Sequence, residues 1–358
     1  MKIAISCDHV LSNSHYMSLV ESFANIYQNA TIYTLAHKIG AVQGRLELHP
    51  IKSTFLSNLV DDKNKLDKLS FLVPSASKKI TVQKEFDQLI NISCGLSHGF
   101  NVEGNTKVIQ YIYSLPHFLS RNKTSFFNGY LKKWFKESLA KSELIICSTK
   151  EIQKIIERYT SDKQQVYTLK PPVSTDGIPV IASKTFKYDY FVLYVEGQLT
   201  NLEKELSTIL NNSNYKLYIL GGKVDREQVK KYYPKAIILE NKIKGELAPL
   251  LSGSLALINL GSNSFSEFNL YSLASGRPVI TIDLENHRSF LPARGVYFID
   301  PNNITSIRSV FTSLLENPFL FSASELNKIA RSYNECKFKS QFFKKMSKLG
   351  MKTPLVRD

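Results

Sequence analysis

Apolar positions in this chain fall into short runs separated by amphipathic stretches. Lys2–Ser6 is a compact apolar run and predicts a first strand. Tyr16–Tyr27 is apolar at 16, 17, 19, 20, 23, 24, 26 and 27, near helical spacing. Ala30–Thr34 predicts the next strand, and Asp87–Ser93 and Thr106–Ile112 predict two later, β-branched, buried ones. Lys123–Ser142, rich in lysine and aromatics, reads as a helix, Leu144–Ser148 as a strand, and Thr149 to Tyr159 as a helix with Glu151 in its first turn. Alternation of this kind predicts a parallel sheet with helices on both faces.

At Lys170 the texture changes. Pro171 and Pro172 stop any regular element, and Ser174–Gly177 are turn residues. A second alternating series follows. Tyr190–Tyr194, Lys216–Leu220, Ala236–Leu239, Leu255–Leu260 and Pro278–Ile282 predict strands. Asn201–Leu210, Glu246–Leu251 and Phe268–Ser275 predict helices, the last closed by Gly276. The pattern therefore predicts two α/β domains, 1–175 and 176–327, with the proline pair as linker. The tail, 328–358, carries nine Lys and Arg against two acidic residues, with Phe338, Phe342 and Phe343 set among lysines. It reads either as a membrane-surface helix or as a helix packed on a domain with its lysines outward; the few apolar residues favour packing.

Composition adds a charge problem. Forty-six basic and 31 acidic residues give a formal net charge of +15. Such an excess attracts nucleic acid, anionic lipid headgroups or phosphorylated small molecules, or belongs to a solvated lysine-rich surface. Cys7, Cys94, Cys147 and Cys336 form no CxxC, and the seven His form no HExxH, so neither a metal nor a cofactor is expected. The apolar start is too short for a secretory leader and no apolar run reaches 18 residues, so a cytoplasmic protein is expected, at most at the cytoplasmic face of a membrane.

Candidate chemistry gathers at predicted strand ends, where ligands of parallel sheets bind. Gly221 and Gly222 end a strand, and read either as a close-approach point for a ligand or as an ordinary turn. The segment Gly261–Phe268 joins a buried strand to a helix. Ser266 suits its cap, and free amides with the helix dipole suit a phosphate; an unliganded capped loop is the other reading. Arg277 points either to ligand or to solvent. His98, Ser114 and His117 lie near strand ends of the first half, where a His could position a hydroxyl or take its proton; structural roles stand beside that reading. There is no GxSxG and no Walker A sequence.

The order of these segments resembles the retaining, nucleotide-sugar-dependent glycosyltransferases of family 4. Leu169–Asp176 (LKPPVSTD) is similar to that family's interdomain “PPVD” turn, and Tyr194–Leu199 (YVEGQL) to its “VGRL” segment. Lys141–Thr149 resembles a strand ending in the family's Ser, and Ser272–Val279 (SLASGRPV) resembles its “EAMACGTPV” helix-to-strand segment. The resemblance implies a GT-B fold, with two facing Rossmann-like domains and a C-terminal crossover helix returning to the first. It also implies an activated sugar donor on the second domain and an acceptor on the first, with no metal. Donor residues would come from Gly197, Gln198, Lys204, Gly221, Gly222, Asn263, Ser264, Phe265, Ser266, Glu267 and Tyr271. The acceptor-side loop falls at Asn13 and Ser14, and the family's acceptor-side His falls near Ser114, with Tyr113 and His117 as neighbours; with the strand-end His98 and with Asn263, Ser114 and His117 make up the candidate catalytic positions. The family's paired Glu positions fall on Asn263 and Tyr271, and its donor-phosphate Arg and Lys fall near Gln198 and Glu203. The implied function is transfer of a sugar to a lipid-linked or surface-polysaccharide acceptor, with an anionic membrane surface as a partner and nucleic acid disfavoured. The alternative is a catalytically degenerate homologue that acts as a binding or scaffolding partner.

Overall fold

The computed structural model describes residues 1–358 except 13, 43, 121–125, 162–163, 182–187, 196–197, 222–223, 241, 243, 262–265, 352 and 354–358, and the side chains of 15, 120, 126 and 304. The chain divides into two compact units, Met1–Pro172 with Glu335–Asp358, and Val173–Asn334.

In the first unit the described strands are β1 (Ile3–Val10), β2 (Thr31–His37), β3 (Ile51–Ser53), β4 (Thr81–Val82), β5 (Gln88–Ser93), β6 (Asn101–Val102), β7 (Lys107–Ile112), β8 (Leu144–Cys147) and β9 (Gln165–Thr168). Seven of them form one parallel sheet in the order β3-β2-β1-β5-β7-β8-β9, and β4 pairs with β6. At its centre Ile5 pairs with Ile32 on one side and Ile90 on the other. The helices are α1 (His15–Ile26), α2 (Lys63–Lys68), α3 (Val73–Lys78), α4 (His117–Ser120), α5 (Phe126–Leu139) and α6 (Lys150–Ile156).

Both faces of this sheet are covered, as continuous apolar strands require. On one face Ala4, Tyr33, Leu35, Leu89, Ile112 and Ile145 share a core with Leu131, Trp134, Phe135 and Leu139 of α5. On the other, Phe23 of α1 meets Phe338 and Phe342 edge-on, with ring centroids 5.4 and 5.0 Å away.

Those two phenylalanines come from the end of the chain. The second unit holds β10 (Tyr190–Tyr194), β11 (Lys216–Gly221), β12 (Ile237–Glu240), β13 (Leu257–Asn259), β14 (Val279–Ile282) and β15 (Val296–Ile299). They form a parallel sheet ordered β12-β11-β10-β13-β14-β15. Its helices are α7 (Asn201–Asn211), α8 (Arg226–Tyr232), α9 (Lys244–Ser252), α10 (Glu267–Ala274), α11 (Glu285–Phe290), α12 (Ile304–Glu316) and α13 (Ala323–Arg331); α14 (Glu335–Ser347) belongs to the first unit. The basic tail is thus two elements rather than one. Gly276, at φ 80°, lets Ala323 of α13 approach so closely that a Cβ there would lie 2.4 Å from the alanine's own. The chain leaves the second unit after Asn334, not at 327. In α14 the apolar residues Phe338, Phe342, Phe343 and Met346 are all buried.

Candidate functional site

In each sheet the strand order runs outward in both directions from a central pair, β1/β5 in the first unit and β10/β13 in the second. Successive connections leave these pairs in opposite directions, so a crevice opens at the carboxyl ends of their strands. Such switch points are where doubly wound sheets take ligands.

At the second switch point, β13 leads into α10. Asn259 at the strand end donates to Asn269 Oδ1 at 2.9 Å, and its own Oδ1 accepts from the Gly261 amide. Ser266 occupies the N-cap position, but its side chain makes no cap hydrogen bond. Among the described residues its buried Oγ and the buried Nδ2 of Asn269 have no hydrogen-bond partner. Both groups lie within the first turn of one helix, where buried polar atoms ordinarily find a partner. One turn on, the buried Tyr271 hydroxyl donates to Glu267, and burial beside that carboxylate pushes its pKa far up. Lys244 Nζ lies 5.3 Å from the centre of the Tyr271 ring and donates to the Ser174 carbonyl. The Phe268 ring stacks on Tyr194, at the end of β10, with centroids 4.3 Å apart.

The other donor-side candidates divide. Gln198 is exposed just before α7. Glu203 is buried in a reciprocal capping box: Thr200 Oγ1 accepts from its amide, and its carboxylate accepts from the Thr200 amide at 2.6 Å. Burial raises its pKa. The carboxylate therefore closes a helix end. Lys204 is half-buried, with Nζ 5.8 Å from the Tyr232 ring centre. Gly221 is explained by packing, since a Cβ there would lie 2.3 Å from the Val195 carbonyl oxygen and 2.5 Å from Val224. Arg277 does not point to solvent: it is buried, donates to the Ser252 carbonyl at 2.9 Å and lies 4.1 Å from the Tyr188 ring centre. Gly197, Gly222, Asn263, Ser264, Phe265 and Asn13 lie outside the described residues.

The first switch point is built around a residue the sequence reading passed over. Asp8 is buried near the end of β1 and accepts from the hydroxyls of Ser93 and Ser97 and from the amides of Cys94, Leu96 and Ser97, at 2.6 to 3.2 Å. Burial pushes its carboxyl above the usual range, against the pull of these bonds. The Asp8 amide donates to the Tyr16 hydroxyl, which donates to the Ile92 carbonyl, both at 2.7 Å. The available signal was a lone Asp within the apolar run IAISCDHV, a strand the periodicity had ended at Ser6.

Ser14 caps α1 by accepting from the Met17 amide. Ser114 is half-buried in the turn after β7, with its hydroxyl on the Cys94 thiol. His117 follows, with Nε2 3.3 Å from Ser70 Oγ. His98 is elsewhere: its ring is buried edge-on against Phe135, 4.7 Å between centroids, and burial lowers its pKa to about 3. It is a neutral core imidazole. His9 resembles it, buried beside Tyr16, with burial and then the Lys63 charge lowering its pKa to about 4.

No protein-family model and no curated protein matches this sequence. Solved structures do match its shape. A sucrose-phosphate synthase from Thermosynechococcus elongatus superposes with a TM-score of 0.69 at 14% identity, covering 98% of this chain and 99% of that one. Anabaena HepE in complex with UDP gives 0.67 at 11% identity over 97% of this chain and 100% of that one. The lipopolysaccharide outer core galactosyltransferase WaaB, in its apo form, gives 0.64 at 15% identity over 97% and 99%. The chain has the GT-B fold. The GT-B likeness spans both units, so neither sheet is an unrelated addition.

Proposed function

We propose that this GT-B protein is a retaining glycosyltransferase. It takes a nucleotide sugar on the second unit and moves the sugar to a lipid-linked or surface-polysaccharide acceptor on the first. The observation that supports this most is the full-length likeness to HepE, a structure solved with UDP and also with UDP-glucose. Local geometry agrees. The break between the sugar and its diphosphate leaves negative charge on the departing oxygens, which preorganised donors and cations must meet. The Ser266 hydroxyl and the first amides of α10 supply donors, and the helix dipole has the right sign. Lys244, held on the Tyr271 ring, supplies positive charge at the same helix. On the acceptor side the reading retains Ser14, Ser114 and His117 as groups that bind or orient a hydroxyl.

One observation favours a second reading, a catalytically degenerate homologue that serves as a binding or scaffolding partner. The position near which the resemblance implies a phosphate-binding cation is Glu203, and its carboxylate is committed to the α7 cap. Calorimetric titration with uridine and guanosine nucleotide sugars, combined with an assay for donor hydrolysis, separates the two. A transferase binds at least one donor and slowly hydrolyses it; absence of both across the set leaves the scaffold.

A further inference from the structure

The second unit opens again at the end of its sheet opposite the crevice proposed for the donor. There α7 and α12 pack side by side, and α7 stops at Asn211. Between them, over the amino ends of β10 and β11, lies a cleft of about 350 Å³. That volume is at the lower end of the roughly 300–1,000 Å³ of small-molecule pockets. Phe191, Leu210 and Phe311 form an apolar floor, each at most 5% exposed. The Phe191 ring meets Tyr215 edge-on, with centroids 5.5 Å apart, and Phe311 at a tilt, 5.0 Å apart. Rings packed in this way hold their places, so the hollow beside them persists. Leu315 stays 37% exposed at the rim. Phe191 precedes Tyr194 by three residues, so the floor lies about 10 Å back along β10 from its carboxyl end.

Most polar groups at this end of α7 are engaged with the backbone. Asn212 Nδ2 donates to the Thr208 carbonyl and the Ser213 hydroxyl to the Leu210 carbonyl, each at 2.8 Å. Lys216, which follows Tyr215, pairs with Asp189 at 3.0 Å. Arg308, one turn before Thr312 on α12, differs from these. Among the described residues its exposed guanidinium has no hydrogen bond or ion pair, and it is the one cation lining the cleft. An apolar hollow with a single uncommitted cation at its mouth is complementary to an apolar body that carries one carboxylate. The planar guanidinium can hold a carboxylate through two parallel N–H bonds, while the body behind it displaces water from the rings. A phosphate dianion fits less well, because it calls for a second cation and none of the described lining residues supplies one.

We propose that the cleft between α7 and α12, floored by Phe191, Leu210 and Phe311 and gated by Arg308, binds a small carboxylate with an aliphatic or aromatic body. This site is separate from the one proposed for the donor. The inference does not rest on the transferase reading, since the carboxylate is titrated without any nucleotide. The test is isothermal titration of the full chain with octanoate and with naphthoate, beside acetate, octanol and naphthylmethanol. At least one of the two larger carboxylates should bind one molecule per chain, and the tighter of them shows whether a chain or a ring fits. Acetate, which has the charge without the body, should not bind detectably. The alcohol of the same skeleton should bind about tenfold more weakly than its acid. Arg308→Gln should weaken the carboxylate about tenfold and leave the alcohol unchanged, a split that general damage to the fold would not produce. Thr312→Trp, at an exposed position, should block acid and alcohol alike while melting at the wild-type temperature. Saturating UDP-glucose should change the carboxylate affinity by less than about twofold. Failure of both larger carboxylates to bind would overturn the proposal. So would binding indifferent to both variants, equal binding of acid and alcohol, or displacement of the carboxylate by UDP-glucose.

Discussion

Single residues in this chain carry more structural than chemical work where the sequence invited the opposite reading. His98 looked like a strand-end acid or base, yet its ring is enclosed with Phe135 and is held neutral. No periodicity reveals this, because a His at a strand end reads the same whether its turn opens to solvent or folds under a helix. The burial has a measurable sign. His98 has a folded pKa of about 3 against an ordinary 6.5. Through that window the unfolded chain binds the extra proton, so its contribution to stability is lost as pH falls below 6.5. Replacing His98 with Gln should reduce the difference in unfolding free energy between pH 7 and pH 5 by about 2 kcal/mol, read from urea melts. An unchanged difference would mean that the ring titrates normally. Ser266 gives the opposite contrast. Its buried hydroxyl has no partner among the described residues, so Ser266→Ala should leave the melting temperature unchanged or higher. The same change should weaken donor binding about tenfold, through a lost bond to a charged phosphate.

At the scale of elements, legibility followed burial. Tyr190–Tyr194 is an observed strand with its predicted bounds, and β7, β8, β11, β14, α7 and α10 are within a residue or two of theirs. These segments are apolar enough for period and propensity to agree. The stretch from Lys38 to Phe86 yielded no element to the reading, and it folds as short helices, 3-10 turns and brief strands. Pieces of two to six residues carry too few positions for a period. Asp62 capping α2 and Thr54 capping a 3-10 turn were the local signals. Gly221 shows how a correct motif can have another cause. The adjacent Val195 carbonyl, rather than a ligand, leaves no room for a side chain. Gly221→Ala should therefore destabilise the protein by about 1–3 kcal/mol in denaturant melts even without any nucleotide. A variant as stable as wild type but poorer in donor binding would restore the ligand explanation.

The whole molecule was legible chiefly as an order of landmarks, and the candidate site only in part. Colinear segments pointed to GT-B, a fold that a chain with no matching family model shares over nearly its full length with solved structures. The donor-side helix α10 and its N-cap position were readable because a buried strand, a polar loop and an apolar helix follow in sequence. Asp8 and its five donors were not, since residues 8, 93 and 97 meet only once β1 and β5 pair. The net charge of +15 resolves into one strongly basic unit and one nearly neutral one, so a donor proposed on the second unit is left to a few placed groups. The central claim is that a nucleotide sugar binds at the carboxyl ends of β10 and β13, against the start of α10. Hydrogen–deuterium exchange with and without saturating UDP-glucose tests it most directly. The account predicts slower exchange in peptides spanning Leu257–Asn259 and Glu267–Ala274. Protection confined to the first unit, or none under any uridine or guanosine nucleotide sugar, would contradict it.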